Sequence, residues 1–115
     1  MVRRIKVKEV NLERGYPTVD IALREMVSQL GTYKRQGYRA VILIHGYGST
    51  GTGGKIKSAV KSKLRESSLS GVVGKTCGGE DWMNNKKEML AICNQLRDFE
   101  IRISGNPGVT VVILK

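Results

Sequence analysis

The stretch Val41-Ile-Leu-Ile-His45-Gly46-Tyr47-Gly48-Ser-Thr-Gly51-Thr-Gly53-Gly54-Lys55 constrains this chain more than any other. A short, continuously apolar run ends at the only histidine, and a glycine-rich loop then opens into a lysine-studded helix. A strand covered on both faces needs no polar alternation, so Arg39 to Ile44 reads as a buried strand of a parallel or mixed sheet. Open α/β sheets place their ligand sites beyond the carboxyl ends of such strands. Glycines there let backbone N–H groups turn toward a bound group, and a helix N-terminus adds about half a positive charge. The ligand expected at this spot is an anion, a phosphate above all.

The rest of the chain supplies partners for that strand. Ile5, Val7, Val10 and Leu12 alternate with polar residues but change phase, predicting one strand with a bulge or two short pieces. Thr18 is placed to cap a helix, and Asp20 falls in its first turn. Val19, Ala22, Leu23, Met26, Val27, Leu30 and Tyr33 then recur at helical spacing, and Gly37 ends the helix. A second helix is expected from Gly54 to Arg65, with Ile56, Ala59, Val60 and Leu64 facing the core. Val72-Val73 reads as a short strand or loop, and Met89, Ile92, Cys93 and Leu96 mark a third helix. Phe99, Ile101 and Ile103 alternate as in a strand. Val109 to Leu114 closes the chain as a last strand. These elements predict an α/β protein: a two-layer sandwich with a mixed four- to five-stranded sheet and about three helices, in one domain over residues 1–115.

The order of apolar strand, His-Gly-x-Gly and helix resembles the Smr (small MutS-related) domain family. The resemblance runs through His45-Gly46-Tyr47-Gly48 into Lys55-Ile56-Lys57-Ser58-Ala59-Val60. It returns in Gly105-Asn106-Pro107-Gly108 and the strand after it. It implies a compact α/β fold associated with nucleic acid. Members with proposed nuclease activity carry Leu-Asp-x-His on the first strand. Here Asn11 stands where the aspartate would fall, and Glu13-Arg14 surround the histidine position. The Gly-rich loop is longer than the family's, and a segment from about Gly71 to Asp98 separates the second helix from the closing strands.

Charge points the same way as the resemblance. Twenty Lys plus Arg against ten Asp plus Glu give a formal charge of +10 in 115 residues. In so small a chain, such an excess favours a polyanionic partner, DNA or RNA. Lys57, Lys61 and Arg65 fall at four-residue spacing on one face of the second helix, with Lys55 and Lys63 beside them. The expected contact set is therefore Gly46, Tyr47, Gly48, Gly51, Gly53, Lys55, Lys57, Lys61 and Arg65. Arg3, Arg4, Lys6 and Lys8 extend that patch if the first strand lies nearby. Tyr47 and Trp82 are candidate stacking platforms, Trp82 being the better packing residue.

Other chemistries fit less well. The P-loop pattern needs GxxxxGK and then Ser or Thr. Ser49 stands at its first position and Ile56 at its last when Lys55 is aligned; Leu69 stands at its first when Lys75 is aligned. One histidine and two distant cysteines, Cys77 and Cys93, match no zinc spacing, so no metal or cofactor is expected. No apolar run approaches the ~18 residues of a membrane span, and reduced thiols suit a cytoplasmic protein. Two main readings follow. In the first, the chain binds a phosphate backbone without cutting it. In the second it is a DNA-nicking or RNA-cleaving endonuclease, with His45 transferring the proton and Glu13 as its carboxylate partner. An anion pocket for a small phosphorylated ligand ranks third.

Overall fold

The computed structural model describes residues 4–15, 18–46 and 53–115. Four strands, β1 (Val7–Asn11), β2 (Ala40–Ile44), β3 (Val73–Gly78) and β4 (Val109–Leu114), form one sheet in the order β1-β2-β4-β3. β1 and β2 are parallel; β4 runs antiparallel to both β2 and β3. The helices are α1 (Val19–Arg35), α2 (Gly53–Leu64), α3 (Trp82–Ile92) and the single turn α4 (Glu100–Ile103). Tight 3-10 turns at Ser67–Leu69, Gly79–Asp81 and Asn94–Phe99 join them.

The mixed α/β sheet is as expected, but helices cover both of its faces, so a third layer is added to the two foreseen. Val41 and Leu43 of β2, with Val10, Leu12, Val112 and Leu114, pack under Met26 and Leu30 of α1 and Ile56 and Val60 of α2. Ala40 and Ile42, with Val7, Val111 and Ile113, pack on the other side against Trp82, Met89, Leu96 and Ile103. Each full burial of such a side chain is worth about 1.5–3 kcal/mol. This double cover explains the phase change in the first strand. Val7 faces one helical layer while Val10 and Leu12 face the other, so β1 alternates regularly and needs no bulge. Ile5 lies before the strand and is exposed.

Helix α1 ends as its sequence dictates. Thr18 Oγ1 accepts from the Ile21 amide at 3.2 Å. At the other end Gly37 adopts φ 87°, while Gly37 N donates to Lys34 O and Tyr38 N to Tyr33 O. That pair of hydrogen bonds around a left-handed glycine is the Schellman arrangement.

The segment between the second helix and the last strand departs most from expectation. Of Val72-Val73, Val73 begins a strand that continues through Lys75, Thr76 and Cys77 to Gly78, paired to β4 with a register shift between Val73 and Lys75. As an edge strand, β3 is only partly buried and carries no apolar alternation, which is why its pattern is weak. The third helix starts at Trp82 rather than near Met89. Phe99 to Ile103 is helical rather than extended: Ile103 is buried while Ile101 is 98% exposed. Phe99 and Ile103 are four apart and share one helical face toward the core, a spacing that alternation also satisfies. Glu100 reinforces the turn by accepting from the Trp82 indole at 3.0 Å.

Candidate nucleic-acid interface

His45 follows β2 directly and is fully buried. Its two ring nitrogens are both engaged: Nδ1 lies 2.6 Å from the Gly46 carbonyl and Nε2 lies 2.8 Å from Thr110 Oγ1. A carbonyl can only accept, so Nδ1 carries the proton and donates. In the neutral ring Nε2 is then the acceptor, and the Thr110 hydroxyl donates to it. Burial pushes the His45 pKa below its ordinary value, and the positive Lys57 and Lys61 act the same way against the opposing Gly46 carbonyl and Glu80. The ring is thus a neutral strut holding Thr110, with neither nitrogen free to exchange a proton with a ligand.

The two halves of the sequence motif meet at this point. The amides of His45 and Gly46 both donate to the Gly108 carbonyl, at 2.9 and 3.0 Å. Gly108 is held in turn by Asn106, whose Oδ1 accepts from the Gly108 amide at 2.8 Å. Gly46 adopts φ 72°, a left-handed conformation that a side chain would strain. Those two amides are consequently satisfied within the protein. Of the expected backbone contacts, Tyr47, Gly48 and Gly51 lie outside the described residues, and Gly53 opens α2.

Glu13 comes to the same corner. Its carboxyl sits against the α-carbon of Gly46, where a β-carbon would fall 1.7 Å from Oε1. It bonds neither nitrogen of His45, because those go to Gly46 and Thr110. Glu13 and His45 are therefore neighbours in space without forming an acid–base pair.

The basic ridge of α2 divides. Lys57 is half-buried and ion-paired with Glu80, from the turn before α3. Burial pushes the Glu80 carboxyl up, but the Lys57 and Lys61 ammonium groups outweigh it and hold it below its usual range. Lys55, Lys61 and Arg65 are exposed, and among the described residues none has a carboxylate within salt-bridge distance. Lys61 and Arg65 form one wall of a cleft of about 180 Å³. Its other wall carries Asp81 and Asn85 of the α3 start, and Thr110 lines it between β3 and α2.

Sequence reasoning missed Thr110, Asp81 and Asn85. The one available signal was Thr110, a lone hydroxyl in an otherwise apolar strand, Val109-Thr-Val-Val-Ile-Leu114. Arg4 and Lys8 do not extend the ridge: Arg4 bonds the carbonyl of Gln36, and Lys8 lies over the Tyr33 ring. β1 is at the opposite edge of the sheet from β3, three strand spacings or about 14 Å away. The larger groove along β1 and α1, about 630 Å³, has both signs on its walls, including the Glu9–Arg102 pair, and is poorly suited to a polyanion. Trp82 is fully buried, a packing residue rather than a stacking platform. Among the described residues no cluster of His, Cys, Asp or Glu could hold a metal ion, and no helix is long and apolar enough to cross a membrane.

The fold recurs in a solved structure. The crystal structure of the Smr domain of Thermus thermophilus MutS2 matches with a TM-score of 0.59 and 28% identity, over 94% of this chain and 98% of that one. The chain has an Smr-like fold. No protein-family model and no curated protein sequence matches it. Within the Smr-like fold, the resemblance seen in the sequence has a physical basis. His45-Gly46 and the Gly105–Gly108 turn lie about 60 residues apart, yet the Gly108 carbonyl binds them into one corner.

Proposed function

We propose that this Smr-like chain is a nucleic-acid-binding protein that contacts the phosphate backbone of DNA or RNA through the exposed cations of α2 and the adjoining Gly-rich loop. One observation carries the reading: Lys61 and Arg65, without an ion-pair partner among the described residues, stand on the wall of a cleft beside the His45–Thr110 corner, in a chain of formal charge +10. Lys55, in a first turn of α2 that contains no acidic residue, adds an exposed cation about 120° around the helix from Lys61. Cations along a helix and at its N-terminus suit the phosphates of a backbone. Lys57 contributes less, because Glu80 neutralises it. The setting is cytoplasmic, where the buried thiols of Cys77 and Cys93 remain reduced.

Binding without cleavage is favoured over nuclease action. A general base must reach the proton it removes, and His45 is buried with both nitrogens bonded. Cleavage through His45 with Glu13 would require the ring to leave Thr110 or Gly46.

A salt-titrated binding assay on single- and double-stranded DNA and RNA tests the proposal. Affinity is expected to fall linearly on a log–log plot, with a slope of about −0.9 per phosphate contacted on duplex DNA and about −0.7 on single strands. Replacing Lys61→Glu and Arg65→Glu together weakens binding to every sequence and flattens the slope by about one for each cation removed. Affinity indifferent to salt, or to both substitutions, rejects the reading. Cleavage gels run on the same samples, with His45→Ala and Glu13→Gln, decide the nuclease alternative: product formation lost in both variants would establish it.

A further inference from the structure

The cleft that carries Lys61 and Arg65 is chemically two-sided, and a phosphate alone does not account for its far wall. Asp81 is exposed there, and among the described residues no cation lies within salt-bridge distance of it. A free carboxylate repels phosphate and accepts hydrogen bonds only. Asn85 stands beside it with one of its two amide hydrogens donating to the Asp81 carbonyl at 3.0 Å, which leaves Oδ1 and the second N–H. Thr110 gives its proton to His45 Nε2, so its oxygen too can only accept from a ligand. Acceptors predominate on the far side of the cleft, in Asp81, Thr110 and Asn85 Oδ1, and they call for a ligand that pairs a phosphate with N–H groups.

We propose that this cleft takes one unpaired nucleotide of a bound strand, with its phosphate on Lys61 and Arg65 and the amino-bearing edge of its base on Asp81, Asn85 and Thr110. The proposal rests on the nucleic-acid-binding reading and specifies the ligand of that same site. Guanine fits the acceptor wall best, because its Watson–Crick edge offers an imino and an amino donor side by side. Adenine and cytosine each offer one amino group, whereas the carbonyls of uracil and thymine face acceptors. That edge is free only where the base is unpaired, as in single-stranded loops and ends. The cleft volume of about 180 Å³ suits one base and excludes a base pair. His45 acquires a purpose in this scheme as a positioning residue: by accepting the Thr110 proton, it keeps that hydroxyl turned as an acceptor.

The test measures anisotropy of labelled oligouridine strands that carry one central guanosine, inosine or adenosine, or none, titrated with the full chain. Guanosine is expected to bind roughly tenfold or more tighter than uridine, within the range of a good base contact, and inosine, which lacks the amino group, to fall between them. Asp81→Ala, an exposed change whose folding is checked by circular dichroism, should erase the preference and leave the salt slope unaltered. Asp81→Asn, which adds donors, should move the preference toward uridine. Lys61→Glu with Arg65→Glu should weaken all strands equally. Equal affinity for every strand, or a guanosine preference that survives Asp81→Ala, overturns the proposal while backbone binding stands. Failure of any strand to bind at low salt removes the function reading as well, a distinct result.

Discussion

Nε2 of His45 and the hydroxyl of Thr110 lie 2.8 Å apart, one just past the end of β2 and the other within β4, which runs antiparallel to it. Thr110 opposes Leu43 across the ladder, so two residues separated by 65 positions in the chain become side-by-side partners on the α2 face of the sheet. The pair buries two polar groups with their hydrogen bonds satisfied, which avoids a penalty of about 1–3 kcal/mol for each group left unpaired. It also places a polar lining at the cleft beside Lys61 and Arg65.

Acidification should weaken the fold in a window set by this histidine. Burial keeps the His45 pKa below the ordinary 6.5, so the ring is neutral in the folded chain and takes a proton more readily when unfolded. The unfolded state then binds more protons as pH falls below about 6.5, and folding stability declines from there toward the lower folded pKa. Urea unfolding followed between neutral and mildly acidic pH should show the loss. In His45→Gln that part of the pH dependence should vanish, whatever the variant's stability at neutral pH. The carboxylates Glu66, Glu80 and Glu100, all held below their usual range, act in a separate window below about 4.5.

Removing one carboxylate should strengthen nucleic-acid binding. Glu80 pairs with Lys57 and stands close enough for Lys61 to lower its pKa. Glu80→Gln releases Lys57 toward a phosphate and removes a negative charge from the rim. Affinity should rise at low salt, and the slope against log salt should steepen by about one. Unchanged affinity would show that Lys57 takes no part in binding.

A single methyl group at Gly79 should disturb the platform under the cleft. A β-carbon there would lie 2.1 Å from the Asn106 carbonyl oxygen and 2.6 Å from that of Ile103, both backbone atoms. The turn Gly79–Asp81 leads directly into α3 and carries Glu80 and Asp81. Its close approach also allows Gly105 N to donate to Gly79 O at 3.0 Å. Overpacking of this kind costs about 1–3 kcal/mol. Gly79→Ala should lower the urea midpoint accordingly, whereas Gly71→Ala, whose β-carbon would meet open space, should not.

Local patterning revealed much of this molecule because burial leaves a periodic trace. Val41 to Ile44 and Val109 to Leu114 are apolar without alternation because both faces of their strands are covered. Leu12 and Val7 carried the same information, but their change of phase reads as an irregularity until the second helical layer is known. Edge strand β3 was legible only at Val72-Val73, as a short strand or loop, since Gly74, Lys75 and Gly78 have little to bury. Alternation at Phe99, Ile101 and Ile103 misled because a helix also aligns residues four apart.

From composition and periodicity alone came the α/β class, the capped first helix, the strand ending at His45 and the basic helix after it. Those properties depend on neighbours a few residues apart, through turn geometry and the helical or extended repeat. Tertiary structure alone decided what the polar groups do. The order β1-β2-β4-β3 sets Thr110 against His45, and the α3 approach assigns Glu80 to Lys57 and Asp81 to the cleft. Hydrogen bonds and ion pairs form between whichever groups the fold brings within about 3 Å, and no local pattern records a partner tens of residues away.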